Sequence, residues 1–180
     1  MALEIERRFL VSGDGWRSQI AWQRQLQQGY LAIHPSGPTV RVRSSGSPEP
    51  EDGSGTEAQA WITIKAAAPD SGGAALSRLE FEYAVPAVDG QALLALCSHR
   101  LVKRRYGLSL PGGDWVVDVF EAENAPLVLA EVELDSPETE VEIPIWCCRE
   151  ITGSQRLSNA SLAQRPLALW SGAERTALFG

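Results

Sequence analysis

Glu4-Ile5-Glu6-Arg7-Arg8 places charges at alternate positions. Five later stretches repeat the spacing: Arg41-Val42-Arg43, Thr63-Ile64-Lys65, Arg78-Leu79-Glu80-Phe81-Glu82, Lys103-Arg104-Arg105 and Glu131-Val132-Glu133. A period of two puts residues i, i+2 and i+4 on one face of a β-strand. One face therefore gathers seven bases, Arg8, Arg41, Arg43, Lys65, Arg78, Lys103 and Arg105. With Asp118 it also gathers seven acids, the others being Glu4, Glu6, Glu80, Glu82, Glu131 and Glu133. Carboxylates alone would repel a polyphosphate, and bases alone would leave nothing to hold a cation. Together they suit a complex of a hard divalent cation, Mg²⁺ or Mn²⁺, with a phosphate chain. Such cations take oxygen from a few carboxylates and from phosphates. Arginine forks grip phosphate oxygens in pairs, and lysines act as point charges.

Taken singly, each stretch is the ordinary pattern of a solvated sheet face. Taken as a set, the apolar partners Ile5, Val42, Ile64, Leu79, Phe81 and Val132 all need one shared cover. That favours a charged interior, in which the charges must be paired, hydrated or loaded with ligand. Asp118 is also compatible with an exposed place in its hairpin strand. Tyr30 stands between core packing and a role beside Arg8. Trp61 reads as a core residue. His34 and His99 lack metal-ligand spacing and receive no role. The adjacent Cys147 and Cys148, with Cys97, make an odd set that fits a reducing compartment better than a disulfide framework.

The elements that must position these residues are mostly strands. They are expected over Leu3–Val11, Gln25–Ile33, Thr39–Ser44, Ala58–Ala66, Leu76–Val85, Leu101–Leu110, Trp115–Glu121 and Leu127–Leu134, with a shorter extended piece at Val141–Pro144. Trp16 to Trp22 reads as a short helix. A second helix capped by Asp89 runs to about His99, and a third, capped by Ser158 or Asn159, ends before Pro166. Polar Gly/Ser/Pro stretches at Ser45–Gly55 and Pro69–Gly73 read as loops, and Pro35–Pro38 and Pro111–Asp114 as turns. The tail from Leu167 to Phe179 shows no clear period. About eight strands with Gly-rich hairpins favour a mainly β (α+β) fold, an antiparallel sheet closed on itself with helices covering its outer face.

At 180 residues the chain reads as one domain spanning 1–180. Its net charge of −7 argues against non-specific nucleic-acid binding, which needs a basic surface. With no signal pattern at the N-terminus and no apolar run of about 18 residues, the chain reads as cytoplasmic and without a membrane partner.

Over about residues 1–166 the sequence resembles the CYTH superfamily, the triphosphate tunnel metalloenzymes. Glu4-Ile5-Glu6-Arg7-Arg8 is similar to that family's ExExK signature. The resemblance continues through Gln28-Gly29-Tyr30-Leu31, Val40-Arg41-Val42-Arg43, Ile62-Thr63-Ile64-Lys65, Arg78-Leu79-Glu80-Phe81-Glu82, Lys103-Arg104-Arg105-Tyr106, Asp118-Val119-Phe120-Glu121, Glu131-Val132-Glu133 and Arg156-Leu157-Ser158-Asn159-Ala160-Ser161. It implies an eight-stranded antiparallel barrel forming a tunnel, with a helix near Asn159 plugging or gating one end. It also implies a small-molecule triphosphate as substrate, with Mg²⁺ or Mn²⁺ as cofactor. By motif position Glu4, Glu6, Glu131 and Glu133 would hold metal. Arg8, Arg41, Arg43, Lys65, Arg78, Lys103 and Arg105 would bind phosphate, and Arg8, Tyr30, Glu80, Glu82 and Asp118 would serve the chemistry. Homodimerisation is left open.

The signature lysine is Arg8 here. Arginine stays protonated and cannot act as a base. If the lysine is a base in relatives, this chain needs another route, such as a metal-bound water aided by Glu80, Glu82 or Asp118. The leading expectation is hydrolysis of inorganic triphosphate by water attack on a terminal phosphorus. The alternatives are an adenylate cyclase, a thiamine triphosphatase and a phosphoanion-binding module without turnover.

Overall fold

The computed structural model describes residues 3–34, 37–46, 58–67 and 77–180. Among these residues nine antiparallel strands make one sheet: β1 (Leu3–Val11), β2 (Ile20–Ile33), β3 (Thr39–Gly46), β4 (Gln59–Ala67), β5 (Ser77–Val85), β6 (His99–Leu108), β7 (Asp114–Phe120), β8 (Val128–Glu133) and β9 (Cys147–Glu150). Neighbours follow the order β5-β4-β3-β2-β6-β7-β8-β1-β9, and β1 also pairs with β5. That last pairing closes eight strands into a barrel. One edge of β1 takes β8 along Glu6–Leu10. Its other edge is divided between β5 at Leu3–Ile5 and β9 at Phe9–Val11.

Closure turns the period-two pattern into an inside and an outside. Ile5, Phe9, Val117 and Val132 point outward into an apolar cluster with Tyr106, Trp115 and Trp146. The connection from β1 to β2 covers that wall with a 3-10 turn at Gly15–Gln19. The buried Trp16 of this turn packs on Tyr106 at 5.0 Å between ring centroids. Each aromatic buried this way removes on the order of 150–250 Å² from water, roughly 4–6 kcal/mol before entropy is charged against it. The connection from β5 to β6 covers the opposite wall with helix α1 (Ala87–Leu96), whose Leu94 joins Cys97 and Val42. α1 lies so close that a Cβ on Gly90 would fall 2.2 Å from Ala60 Cβ.

The third apolar cluster fills one end of the barrel. Leu10, Leu101, Phe120 and Leu129 meet Leu157, Leu162, Leu167, Trp170 and Leu178 from the C-terminal segment. That segment carries helix α2 (Asn159–Gln164), capped by the Ser158 side chain, and helix α3 (Gly172–Phe179). No helix among the described residues is long and apolar enough to cross a membrane.

Several elements differ from expectation. Trp16 to Trp22 is not one helix: the 3-10 turn stops at Gln19 and β2 starts at Ile20, because β2 pairs with β6 as far as Leu108. α1 is capped by Pro86, not Asp89, which sits in the first turn where its charge still favours the helix dipole. Val141–Pro144 forms no strand, although Val141 and Ile143 pack on the outer cluster. The ninth strand comes after it, at Cys147–Glu150, held by a free edge of β1. The tail contains α3, announced by Ser171-x-x-Glu174, a capping box in which each side chain bonds the other residue's backbone N–H. α2 seats in the barrel end, as the resemblance implies, and leaves the outer wall to α1 and the turn at Gly15–Gln19. The loops read at 45–55 and 69–73 lie outside the described residues, apart from Ser45 and Gly46, which belong to β3.

Candidate active site in the barrel lumen

The lumen holds a cavity of about 800 Å³. β1 contributes Glu4, Glu6 and Arg8, β3 Arg41 and Arg43, β4 Lys65, β5 Arg78, Glu80 and Glu82, β6 Arg105, and β8 Glu131 and Glu133. Six bases and six acids of the two predicted sets of seven thus share one chamber. Tyr30 and His34 join them, and Ser158, Asn159, Ser161 and Gln164 close the plugged end.

The pairs follow from strand register. Arg8 stands opposite Glu131, Lys65 opposite Glu80, Arg105 opposite Asp118 and Glu4 opposite Arg78. Cross-strand neighbours on one face lie within side-chain reach, and each of these couples forms an ion pair. Arg8 Nε donates to Glu131 at 3.0 Å, Lys65 Nζ reaches Glu80 at 2.9 Å and Glu4 at 2.7 Å, and Arg78 reaches Glu6 at 2.6 Å. Arg43 donates to both oxygens of Glu82, at 3.0 and 2.8 Å. Thr63, fully buried, donates to Glu82 and accepts from Arg41.

The remaining two predicted charges share the inward face but are buried beneath Arg105, against the plugged end of the barrel. Lys103 is 1% exposed and donates to Asp118 at 2.5 Å, with Asn159 Oδ1 at 3.3 Å and the Phe120 ring beneath it. Asp118, also 1% exposed, spends its oxygens on Lys103 and on two bonds from Arg105, each 2.7 Å. Asp118 is therefore a buried residue, not an exposed hairpin position, and it meets the cavity through Arg105. Trp61 is absent from the apolar clusters. It shares the inward face of β4 with Thr63 and Lys65, and the Arg43 guanidinium lies 5.4 Å from its ring centroid.

The bonding leaves buried polar atoms over. Arg41 Nε and Arg43 Nε have no partner among the described residues, nor does Gln28 Oε1. Gln28 and Thr63 stood in the sequence motifs but received no role there, because neither carries charge. Their places two residues before Tyr30 and Lys65 put them on the lumen face by the same period.

Electrostatics divide the acids in two. Burial would raise Glu131, yet Arg105 and Arg8 hold it well below the usual carboxylate value; burial would likewise raise Asp118, and Arg105 with Lys103 lowers it. Burial raises Glu6, reinforced by Glu131 and Glu4, and raises Glu133, reinforced by Glu4 and Glu80. Burial lowers Lys103 to about 8 in spite of Asp118, lowers Arg43 to about 10 and lifts Tyr30 to about 12. Glu6 and Glu133 face each other across β1 and β8, with Glu4 two residues before Glu6. Glu4 is paired with Lys65 and Glu6 with Arg78, whereas Glu133 has no ion pair among the described residues; an all-oxygen set of three carboxylates is chemically suited to a hard divalent metal. Among the described residues no group of three His, Cys, Asp or Glu is gathered closely enough to hold an ion unaided.

No family model matches the chain. An inorganic triphosphatase of Acetivibrio thermocellus is 33% identical over 168 residues, 92% of this chain and 96% of that protein. The solved structure of the inorganic triphosphatase NE1496 is 28% identical with a TM-score of 0.59, covering 91% of this chain and 95% of that one. The PH1012 protein from Pyrococcus Horikoshii OT3, 19% identical with a TM-score of 0.53 over 75% of this chain and 81% of that one, shares the fold.

Proposed function

This chain belongs to the CYTH or triphosphate tunnel family, and on that premise we propose that it hydrolyses inorganic triphosphate to pyrophosphate and phosphate inside the barrel. The observation that carries this reading is a chamber lined by both signs of charge, in which two buried guanidinium Nε groups, on Arg41 and Arg43, still lack an acceptor. Phosphate oxygens supply what these donors lack.

Arg41, Arg43, Lys65 and Arg105 would grip the phosphate chain, exchanging carboxylate partners for phosphate oxygens. Arg78 and Arg8 would complete the ring. Their fixed positions favour the extra charge that develops as water oxygen bonds the terminal phosphorus and the bridging P–O bond breaks toward pyrophosphate. Glu4, Glu6 and Glu133 would hold a divalent cation, Mg²⁺ or Mn²⁺, together with phosphate oxygens. When bound, the metal neutralises phosphate charge and lowers the pKa of water. Glu131 is committed to Arg8 and Arg105, so it serves by orienting them. Asp118 and Lys103 likewise hold Arg105 from behind. Glu80 and Glu82, on the cavity wall, would take the proton of the attacking water once Lys65 and Arg43 have exchanged them for phosphate oxygens.

Phosphate release by the purified chain is the test, from inorganic triphosphate, ATP and thiamine triphosphate, with Mg²⁺, Mn²⁺ or chelator. Metal-dependent release favouring inorganic triphosphate is the expected result. Preference for thiamine triphosphate would give Trp61 a substrate role. Cyclic AMP from ATP, or tight binding without product, would overturn the hydrolase reading.

A further inference from the structure

Gln28 is 1% exposed, deep in the barrel wall, and registers with Leu101 on β6 and Arg43 on β3. A buried primary amide costs stability unless its donors and acceptor are used. One donor is used: Gln28 Nε2 gives a hydrogen bond to Tyr30 Oη at 3.1 Å. Its Oε1 has no partner among the described residues.

The consequence falls on Tyr30. Its hydroxyl oxygen already accepts from Gln28, so its own hydrogen must point elsewhere. Among the described residues it donates to no protein group. The charges that act on it are those of Arg41, Arg8 and Arg78, and arginine offers no acceptor. Tyr30 lines the cavity while remaining 6% exposed, so the space left for its hydrogen is the lumen.

We infer that Gln28 is a positioning residue that makes Tyr30 a donor into the tunnel, aimed at a phosphate oxygen of the substrate. The assignment rests on the reading of the lumen as a triphosphate site. It gives this pair a division of labour: Tyr30 touches substrate, and Gln28 sets the direction of the phenol proton. Had the amide presented its oxygen, it would have taken that proton for itself.

Kinetics on inorganic triphosphate with divalent metal test this, using Gln28→Met, Gln28→Glu, Tyr30→Phe and the double variant Gln28→Met/Tyr30→Phe. Methionine conserves volume without a donor, and glutamate conserves shape but accepts only. Tyr30→Phe is expected to lower kcat roughly 10–100-fold, the size of one charge-assisted hydrogen bond. Gln28→Met should lower kcat roughly 3–10-fold with KM less affected, and Gln28→Glu should lose as much as Tyr30→Phe. The double variant should match Tyr30→Phe alone. If Gln28→Met costs the same factor in the Tyr30→Phe background, or nothing in either, the positioning role is overturned. If Tyr30→Phe turns over like the unaltered chain, Tyr30 is not the recipient, while the triphosphatase reading stands. A second readout needs no turnover. Ultraviolet titration of the tyrosines, with Tyr30→Phe marking which signal is Tyr30, should show its phenol titrating higher in Gln28→Met, because a donor to the phenolate is gone. No change there would sink the contact itself, even for a chain that proves inactive.

Discussion

Arg8 and Glu131 stand directly opposite each other on β1 and β8, and Arg8 Nε donates to Glu131 Oε1 at 3.0 Å. Arg8 also donates to the Leu157 carbonyl at 3.0 Å, which ties β1 to the turn preceding α2. The residue in the signature position is therefore a fixed donor that joins barrel to plug. Its guanidinium offers donors only and is held by both partners, so it is not free to act as a base.

Arg8→Lys should accordingly keep turnover within about threefold and lower stability by about 1–2 kcal/mol, since an ammonium cannot span Glu131 and Leu157 as the fork does. Phosphate-release rates and urea unfolding measure the two effects. A rise in turnover of about tenfold or more would mean that the position calls for a base and that arginine has silenced it.

Arg41→Ala and Arg43→Ala each remove one of the unpartnered buried donors. Each should weaken triphosphate binding by roughly 10–100-fold, the worth of a charge-assisted hydrogen bond. Calorimetric titration of inorganic triphosphate reads this directly. Binding unchanged in both variants would remove these arginines from the phosphate clamp.

Glu133 has no ion-pair partner among the described residues, and burial with Glu4 and Glu80 nearby raises its pKa. A raised carboxyl destabilises the native chain once ionised, so Glu133→Gln should raise Tm at neutral pH without metal, by roughly 1–2 °C. The same variant should lose divalent-cation binding, which thermal shift with added Mn²⁺ would show. A lower Tm together with intact Mn²⁺ binding would mean that Glu133 is held by protein groups.

The pH dependence has two limbs of opposite sign. Glu6 and Glu133 are raised in the native chain, so protonating them between neutral pH and about 4.5 adds stability. Asp118 and Glu131 are depressed, so their contribution is complete above their ordinary values of 3.8 and 4.5 and is lost as pH falls through the native ones. Tm should therefore be highest at mildly acidic pH and fall steeply below about pH 4.5. Asp118→Asn should cost about 3–5 kcal/mol above that pH by leaving Lys103 unpaired, and should flatten the acid limb. An acid limb unchanged in that variant would show that other carboxylates control it.

Much of the site was legible because alternation is a local rule. A strand's side chains change faces at every residue whatever the rest of the chain does, so Glu4, Glu6, Arg41, Arg43, Glu80 and Glu82 could be assigned to one face before any fold was known. The same parity would have placed Gln28, Thr63 and Trp61 inside had uncharged residues been followed along their strands. The capping box at Ser171 was equally local and readable. The ninth strand was not: Cys147–Glu150 is a strand because β1 leaves an edge open beyond its pairing with β5, and no property of those four residues announces that edge.

The sequence by itself determined that this protein has a charged face and an apolar face on nearly every strand, and so that its sheet gains by closing. Only the tertiary structure decided which base meets which acid, because partners are set by register between strands far apart in the chain. That register sealed Lys103 and Asp118 behind Arg105, left Glu133 without an ion pair among the described residues, and set Leu10, Leu101 and Leu129 at the end where the C-terminal segment could bury them.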